Sequence, residues 1–371
     1  MSDDIPLVDL ARAHARVADA VRAGFERVIA STAFIGGAEV AAFEAELARA
    51  VGARCCAGVA SGTDALELIL RGLAIGPGDE VVLPANTFVA TAMAVLRAGA
   101  TPVLVDCDPA HLLIDPARVA ERLTARTRAI IAVHLYGQVA PVEALLALAR
   151  PRQIALVEDA AQAHGAARYG RNAGTLGAAA GWSFYPSKNL GAYGDAGAVT
   201  TDDLALDTRI RALRQYGEVT RYVHAAPGFN SRLDALQAVV LRAKLVHLAA
   251  GNEARRRAAA RYDAMLAELA PVERPRTLTG NHHVYHLYVV QLPERDRVLA
   301  HLRAAGIGAA VHYPVPLHLQ GALAALGHGP GDFPVAERAA ARLLSLPLCP
   351  ELDEARQDRV VAALARALGS A

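Results

Sequence analysis

The chain has 371 residues, 53% of them hydrophobic and 20% charged, and its 38 basic and 37 acidic side chains leave a net charge of +1. That length and composition describe a globular chain of two or three domains with a sizeable core, and they exclude a long disordered tail. The absence of a basic stripe argues against a nucleic-acid partner, and apolar stretches such as residues 144–149 are too short to span a bilayer.

In chain order, the acidic start Met1-Ser-Asp-Asp lacks a basic region followed by an apolar core, so no secretory signal is visible and a cytoplasmic protein is expected. From residue 54 to about 200, short apolar runs alternate with helical stretches, the pattern of a parallel sheet with crossover helices. Strands are predicted at residues 81–83, 102–105, 129–133, 154–158, 181–184 and 198–200, with helices at 63–71, 89–97, 116–122 and 142–149. Strands apolar at nearly every position fit a sheet covered on both faces. After Asn230, long helices rich in Arg, Ala and Leu run from about 233 towards 269. A second, smaller α/β unit follows: a strand at 286–291, a helix at 296–305, a loop rich in His and Pro, and helices near 334–344 and 352–368. The division falls at residue 248, with a large domain at 1–248 and a small one at 249–371.

Cys55, Cys56, Cys107 and Cys349 show neither Cys-x-x-Cys spacing nor an evident pairing scheme, and read as small core residues in a reducing compartment. Asn281-His-His-Val-Tyr-His286 is the nearest approach to a metal cluster. A strand there would send neighbouring imidazoles to opposite faces, and no carboxylates accompany them, so no metal site is expected.

Three turns carry candidate chemistry, because ligands of open α/β sheets sit at the carboxyl ends of the strands. Ser61-Gly-Thr-Asp-Ala-Leu66 opens a helix; its free N–H groups make an anion site, or its serine is an ordinary N-cap. Val157-Glu-Asp-Ala-Ala-Gln-Ala-His164 ends a strand in adjacent acids. Asp159 there can hold a ring nitrogen protonated with Gln162 and His164 just beyond, or it can simply cap a turn. The third turn holds Lys188. Only two lysines, Lys188 and Lys244, occur against 36 arginines. A guanidinium cannot form an imine, so a lysine that persists in such a composition can be there for its amine. Lys244 reads as a helix-face residue. Gly191, Gly194 and Gly197 mimic a dinucleotide loop, but they precede a strand instead of opening a helix after one, which removes that reading.

A phosphate cradle, a carboxylate for a pyridine nitrogen and an imine-forming amine are the parts of a pyridoxal 5′-phosphate site. The chain resembles the DegT family of nucleotide-sugar aminotransferases. The likeness rests on Phe34-Ile-Gly36 with Phe43-Glu44, Ser61-Gly-Thr-Asp-Ala-Leu66, Pro84-Ala-Asn-Thr-Phe-Val-Ala-Thr91 and Val133-His-Leu-Tyr-Gly-Gln138. It continues through Glu158-Asp-Ala-Ala-Gln-Ala-His-Gly165, Ser183-Phe-Tyr-Pro-Ser-Lys-Asn-Leu-Gly191, Gly228-Phe-Asn-Ser-Arg232 and His312-Tyr-Pro314.

This resemblance implies an α/β fold of the aspartate-aminotransferase type (fold type I), with a mostly parallel sheet in a large domain and a smaller C-terminal α/β domain. It implies that Lys188 bonds covalently to the cofactor, that Asp159 binds its pyridine nitrogen and that Gln162 lies beside its ring oxygen. Phe88 would stack on the ring, and Gly62, Thr63 and Ser183 would hold the phosphate. Asn230 would reach the cofactor phosphate of a neighbouring subunit, which makes a homodimer the smallest active unit. Residues 306–320, 331–335 and 344–347 most resemble members that use L-glutamate to aminate C-3 of dTDP-3-oxo-6-deoxyhexoses, with His164, Tyr185, His312 and Tyr313 as hexose contacts. Rival readings are amination at C-4, a sugar dehydratase and a non-catalytic cofactor-binding regulator. Members that dehydrate replace the lysine by histidine, so Lys188 counts against the second, and the likeness begins near residue 8, which leaves no room for the third's DNA-binding module.

Overall fold

The computed structural model describes residues 4–369, so Met1–Asp3 of the acidic start lie outside the described residues. Seven strands form the central sheet: β1 (Cys55–Val59), β2 (Glu80–Pro84), β3 (Thr101–Val105), β4 (Thr127–Val133), β5 (Ala155–Asp159), β6 (Ala179–Ser183) and β7 (Gly197–Thr201). Their order is β1-β7-β6-β5-β4-β2-β3. Neighbours from β6 to β3 run parallel, and β7 lies antiparallel to both β6 and β1. All six strands predicted here exist. β1 was not anticipated: Cys-Cys-Ala-Gly-Val is short, small-sided and poor in the β-branched residues that mark a strand.

Helices cover both faces, in keeping with strands buried along their length. The helices of this part of the chain are α1 (Leu10–Ala15), α2 (Ala18–Ser31), α3 (Gly37–Val51), α4 (Gly62–Gly72), α5 (Val89–Ala98), α6 (Pro116–Arg122), α7 (Val142–Ala149), α8 (Leu204–Leu213) and α9 (Ala235–Leu245); α10 (Leu248–Met265) instead lends Ala259 and Tyr262 to the core of the C-terminal unit. One apolar core, around Phe43, Trp182 and Phe184, lies on one side of the sheet, and another, around Leu66, Ile69 and Val95, on the other. α4 comes close over β6 because Gly181 faces it: a Cβ there would lie 2.9 Å from Leu66 Cδ2. The long helices expected from about residue 233 towards 269 are α9 and α10, separated at Val246–His247.

The C-terminal unit contains β8 (Tyr288–Gln291), α11 (Arg295–Ala304), α12 (Pro334–Arg342), β9 (Leu343–Leu346) and α13 (Glu354–Leu368). β8 and β9 pair antiparallel. The helix predicted to reach residue 344 stops at Arg342, because Leu-Leu-Ser-Leu is buried at every position and serves as a strand; a short apolar run fits either period. This unit has its own core, which also takes in Ile5 from the chain's start. Ile5 donates to Gly306 O (2.9 Å) and accepts from Gly308 N–H (2.7 Å), so the first described residues belong with the last third of the chain. Among the described residues no helix is long and apolar enough to cross a membrane.

The candidate active site

The carboxyl ends of β5 and β6, together with the N-termini of α4 and α5, open into one cleft of about 400 Å³. Of the residues singled out from the sequence, Gly62, Thr63, Phe88, Asp159, Gln162, Ser183, Tyr185, Lys188, His312 and Tyr313 all line it.

Lys188 follows β6 in a tight turn, its N–H donating to Tyr185 O at 2.8 Å. Burial of the amine lowers its pKa to about 8, against the opposing pull of the Asp159 carboxylate. Asp159, the last residue of β5, accepts at Oδ2 from Thr91 Oγ1 (2.8 Å) and at Oδ1 from the Ala161 N–H (3.2 Å). A hydroxyl has one proton, so Thr91 spends its own on Asp159 and must accept from Thr87 Oγ1 at 3.0 Å. That relay fixes the carboxylate in the cleft.

Its neighbour does something else. Strand alternation turns Glu158 to the other face, where its Oε2 accepts from His134 Nε2 and Gly174 N–H (2.8 Å each). Its Oε1 accepts from Leu176 N–H (2.7 Å) and Gly177 N–H (2.8 Å). His134 Nδ1 accepts from Ala140 N–H, so Nε2 carries the proton it gives to Glu158. Burial alone would raise the Glu158 pKa; the bond from His134 and the backbone N–H groups reverse this and hold it low. The adjacent acids are therefore one structural and one cleft-facing.

At the α4 end, Ser61 Oγ accepts from Asp64 N–H at 3.1 Å, an N-cap. Helix geometry leaves the N–H groups of Gly62 and Thr63 without intrahelical acceptors. The capping reading of this turn holds, and Gly62 and Thr63 line the cleft. Gly62 is required by packing: a Cβ would stand 2.6 Å from Ser183 Cβ. Phe88 precedes α5 with its ring half exposed in the cleft and 5.2 Å from that of Tyr313. Gln162 accepts from Tyr136 N–H (2.6 Å) and donates to Tyr313 Oη (3.1 Å), and Tyr136 Oη donates to His312 O (2.8 Å). Burial raises the Tyr313 phenol pKa, and burial followed by the Lys188 charge lowers that of His312 to about 4.

Two residues stand elsewhere. His164 does not line the cleft: past Gln162 the chain turns back at Gly165 (φ +83°) and buries the imidazole against Trp182 and Phe184, beside a separate cavity with Leu47 and Leu248. Burial, and then the Lys188 charge, lower its pKa to about 3. The expected hexose contact at His164 is thus corrected. Asn230 is exposed, bridges to Gln215 and does not line this chain's own cleft.

Sequence reasoning missed Thr91 and His286. Thr91 sits one helical turn after Phe88, a spacing that puts both on one face once Phe88 is placed. His286 lines the cleft from the segment read for metals, whereas His283 stacks on Tyr285 and His282 pairs with Ala167. Its tautomer follows from its neighbours. Asn252 Nδ2 donates to a carbonyl, His164 O, so Asn252 Oδ1 accepts from Asn189 Nδ2; Asn189 Oδ1 then accepts from His286 Nδ1–H. His286 Nε2 is left as the lone-pair nitrogen.

These residues fit a phosphorylated pyridine aldehyde. Two helix N–H groups and a serine hydroxyl suit the phosphate, an anchored carboxylate suits a protonated ring nitrogen, a half-exposed aromatic face suits the ring and an amine of lowered pKa suits the aldehyde. Fold and cleft together define a pyridoxal 5′-phosphate-dependent transferase of the aminotransferase class. The chain belongs to the DegT/DnrJ/EryC1/StrS aminotransferase family, whose model matches residues 17–365. It is 44% identical over 360 residues to the dTDP-3-amino-3,4,6-trideoxy-α-D-glucose transaminase of Streptomyces venezuelae, covering 97% of this chain and 95% of that one. It is 45% identical over 364 residues, 98% of each chain, to the UDP-N-acetyl-3-dehydro-α-D-glucosamine 3-aminotransferase of Acidithiobacillus ferrooxidans. The crystal structure of S. venezuelae DesV in complex with a ketimine intermediate superposes with a TM-score of 0.96 at 44% identity, covering 98% of each chain. The protein is a pyridoxal 5′-phosphate-dependent sugar aminotransferase.

Proposed function

We propose that the protein transfers an amino group from L-glutamate to C-3 of a dTDP-linked 3-oxo-6-deoxyhexose, giving a dTDP-3-amino-3,6-dideoxyhexose. The observation that carries this reading is the convergence of the Lys188 amine, the Thr91-anchored Asp159 and the α4 N-terminus on one cleft roofed by His312 and Tyr313. When bound, the cofactor supplies an aldehyde that condenses with amines and a pyridinium ring that withdraws electrons.

The chain's own residues do the rest. Lys188 would hold the cofactor through its amine and, with that amine free, would serve as the base for the proton on the α-carbon of the donor. Asp159 would pair with the ring nitrogen and Gln162 would lie beside the ring oxygen. Phe88 would cover the ring, while Gly62, Thr63 and Ser183 would hold the phosphate. Tyr185, His312 and Tyr313 contact the hexose. The large domain at 1–248 supplies most of the cleft, and His286, His312 and Tyr313 reach it from 249–371. Four buried, unpaired thiols suit the reducing cytoplasm as the site of action.

The test is to offer the aminated protein 3-oxo and 4-oxo hexoses on dTDP and on UDP, and to identify the products by mass and NMR. A 3-amino product on dTDP with stoichiometric 2-oxoglutarate is expected. Amination of 4-oxo sugars alone would replace the C-3 assignment, and no amine from glutamate would remove the proposal.

The same reading makes the protein a homodimer with shared sites. Supporting it, Asn230 is exposed beside the hairpin of Glu218–Thr220 and Val223–His224, which carries exposed Val219, Tyr222 and Val223, with Phe34 and Ile35 also exposed. Mixed Lys188→Ala and Asn230→Ala subunits should regain activity that neither has alone. Proven hybrids without recovery would remove Asn230 from the partner's site.

A further inference from the structure

The chain's other lysine does more than solvate a helix face. Lys244, on α9, ends beneath the loop that carries Lys188. Its Nζ donates to Gly191 O at 2.7 Å and lies 4.6 Å from the centroid of the Tyr193 ring. Both lysines line a single cavity behind that loop, with Arg16, Asn252 and Glu351 also on its wall.

The loop is short and tightly folded. A Cβ on Gly191 would stand 2.2 Å from Pro186 O, and Ala192 N–H returns to Phe184 O at 2.8 Å. On one side, Asn189 is held by Asn252 Oδ1 (2.8 Å) and Val284 O (3.1 Å). On the other, α9 supplies two grips: Gln237 Oε1 accepts from Tyr193 N–H at 2.8 Å, and Lys244 takes the Gly191 carbonyl. Lys244 is the one charged member of that set.

The choice of lysine has a reason in a chain that otherwise prefers arginine by 36 to 2. One carbonyl and one ring face make a slot for a compact ammonium on an unbranched stem; a planar guanidinium brings five N–H donors that would each need an acceptor. Burial lowers the Lys244 pKa to about 8, with Glu351, itself paired to Arg16 at 3.0 Å, pulling the other way.

We propose that Lys244 is a positioning residue for Lys188: by fixing the Gly191 carbonyl it sets the turn from Lys188 to Tyr193, and with it the direction in which the Lys188 amine enters the cleft. The inference rests on the reading of Lys188 as the amine that bonds to the cofactor.

Its test uses the full-length protein freed of cofactor. Wild type, Lys244→Met and Lys244→Gln are exposed to pyridoxal phosphate, reduced with borohydride and mapped by peptide mass, with amide exchange followed at residues 189–193. Labelling of Lys188 is expected to slow by about tenfold or more in Lys244→Met, the scale of one lost charged hydrogen bond, and exchange in the loop to quicken. Labelling at the wild-type rate with unchanged exchange overturns the proposal. If Lys244→Met does not fold, Lys244→Gln, which keeps a donor on a shorter stem, is judged by the same two readouts. Failure of wild type itself to label at Lys188 would instead overturn the reading of Lys188, so the two failures are distinguishable.

Discussion

Lys188→Ala is expected to end transamination, with 2-oxoglutarate release falling on the order of 10⁴-fold or more, because the variant loses both the covalent anchor and an acid–base group itself worth about 10² to 10⁴. Turnover near that of the wild type would exclude Lys188 from the chemistry. The lowered pKa adds a pH signature. A neutral amine attacks the aldehyde, so cofactor capture by the free protein should rise with pH and level off above about 8, not above the ordinary lysine value of 10.5. A rise continuing to about 10 would show that the amine is not desolvated as the cleft implies. The stability sign follows the same logic. Between about 8 and 10.5 the unfolded chain binds the proton that the folded chain has lost. Burial of this amine therefore disfavours folding most at and below neutral pH, and the penalty shrinks as pH rises through that window.

Asp159→Asn should cut turnover by roughly 10² to 10³, the usual cost of losing one charge aimed at a reacting centre. An asparagine still accepts from Thr91, so the fold should persist. An unchanged rate would take Asp159 out of the site. A second readout separates lost charge from damage. The Asp159 carboxylate raises the Lys188 pKa, so its removal should move the midpoint of cofactor capture below about 8. A midpoint that stays put would mean that the substitution acts by distortion.

The parallel strands were legible because buried runs such as residues 129–133 and 154–158 are apolar at almost every position. The three turns were legible because residue types with few common uses converge at strand ends. What escaped has physical causes. Leu343 and Leu344 sit in a run too short for its period to decide between helix and strand. Thr91 is unremarkable until Phe88 and Asp159 bracket it. His164 lies beyond the end of β5, where strand alternation no longer assigns a side, and only the turn at Gly165 sends it under the sheet. His286 was visible, but its neighbours His282 and His283 suggested a cluster that the backbone disperses.

The back-to-back carboxylates on β5 have a consequence for how the chain assembles. If the strand slipped by one residue, Asp159 would meet His134 and the amides of residues 174–177 with a side chain one carbon too short. The same slip would carry Glu158 into the place of Val157, buried in the apolar core, and several buried amides would be stranded, each at a cost of about 1 to 3 kcal/mol. A mis-threaded chain is therefore disfavoured against the native register by a carboxylate buried in the core and by those unpaired amides. The acid that never meets substrate proofreads the placement of the one that does.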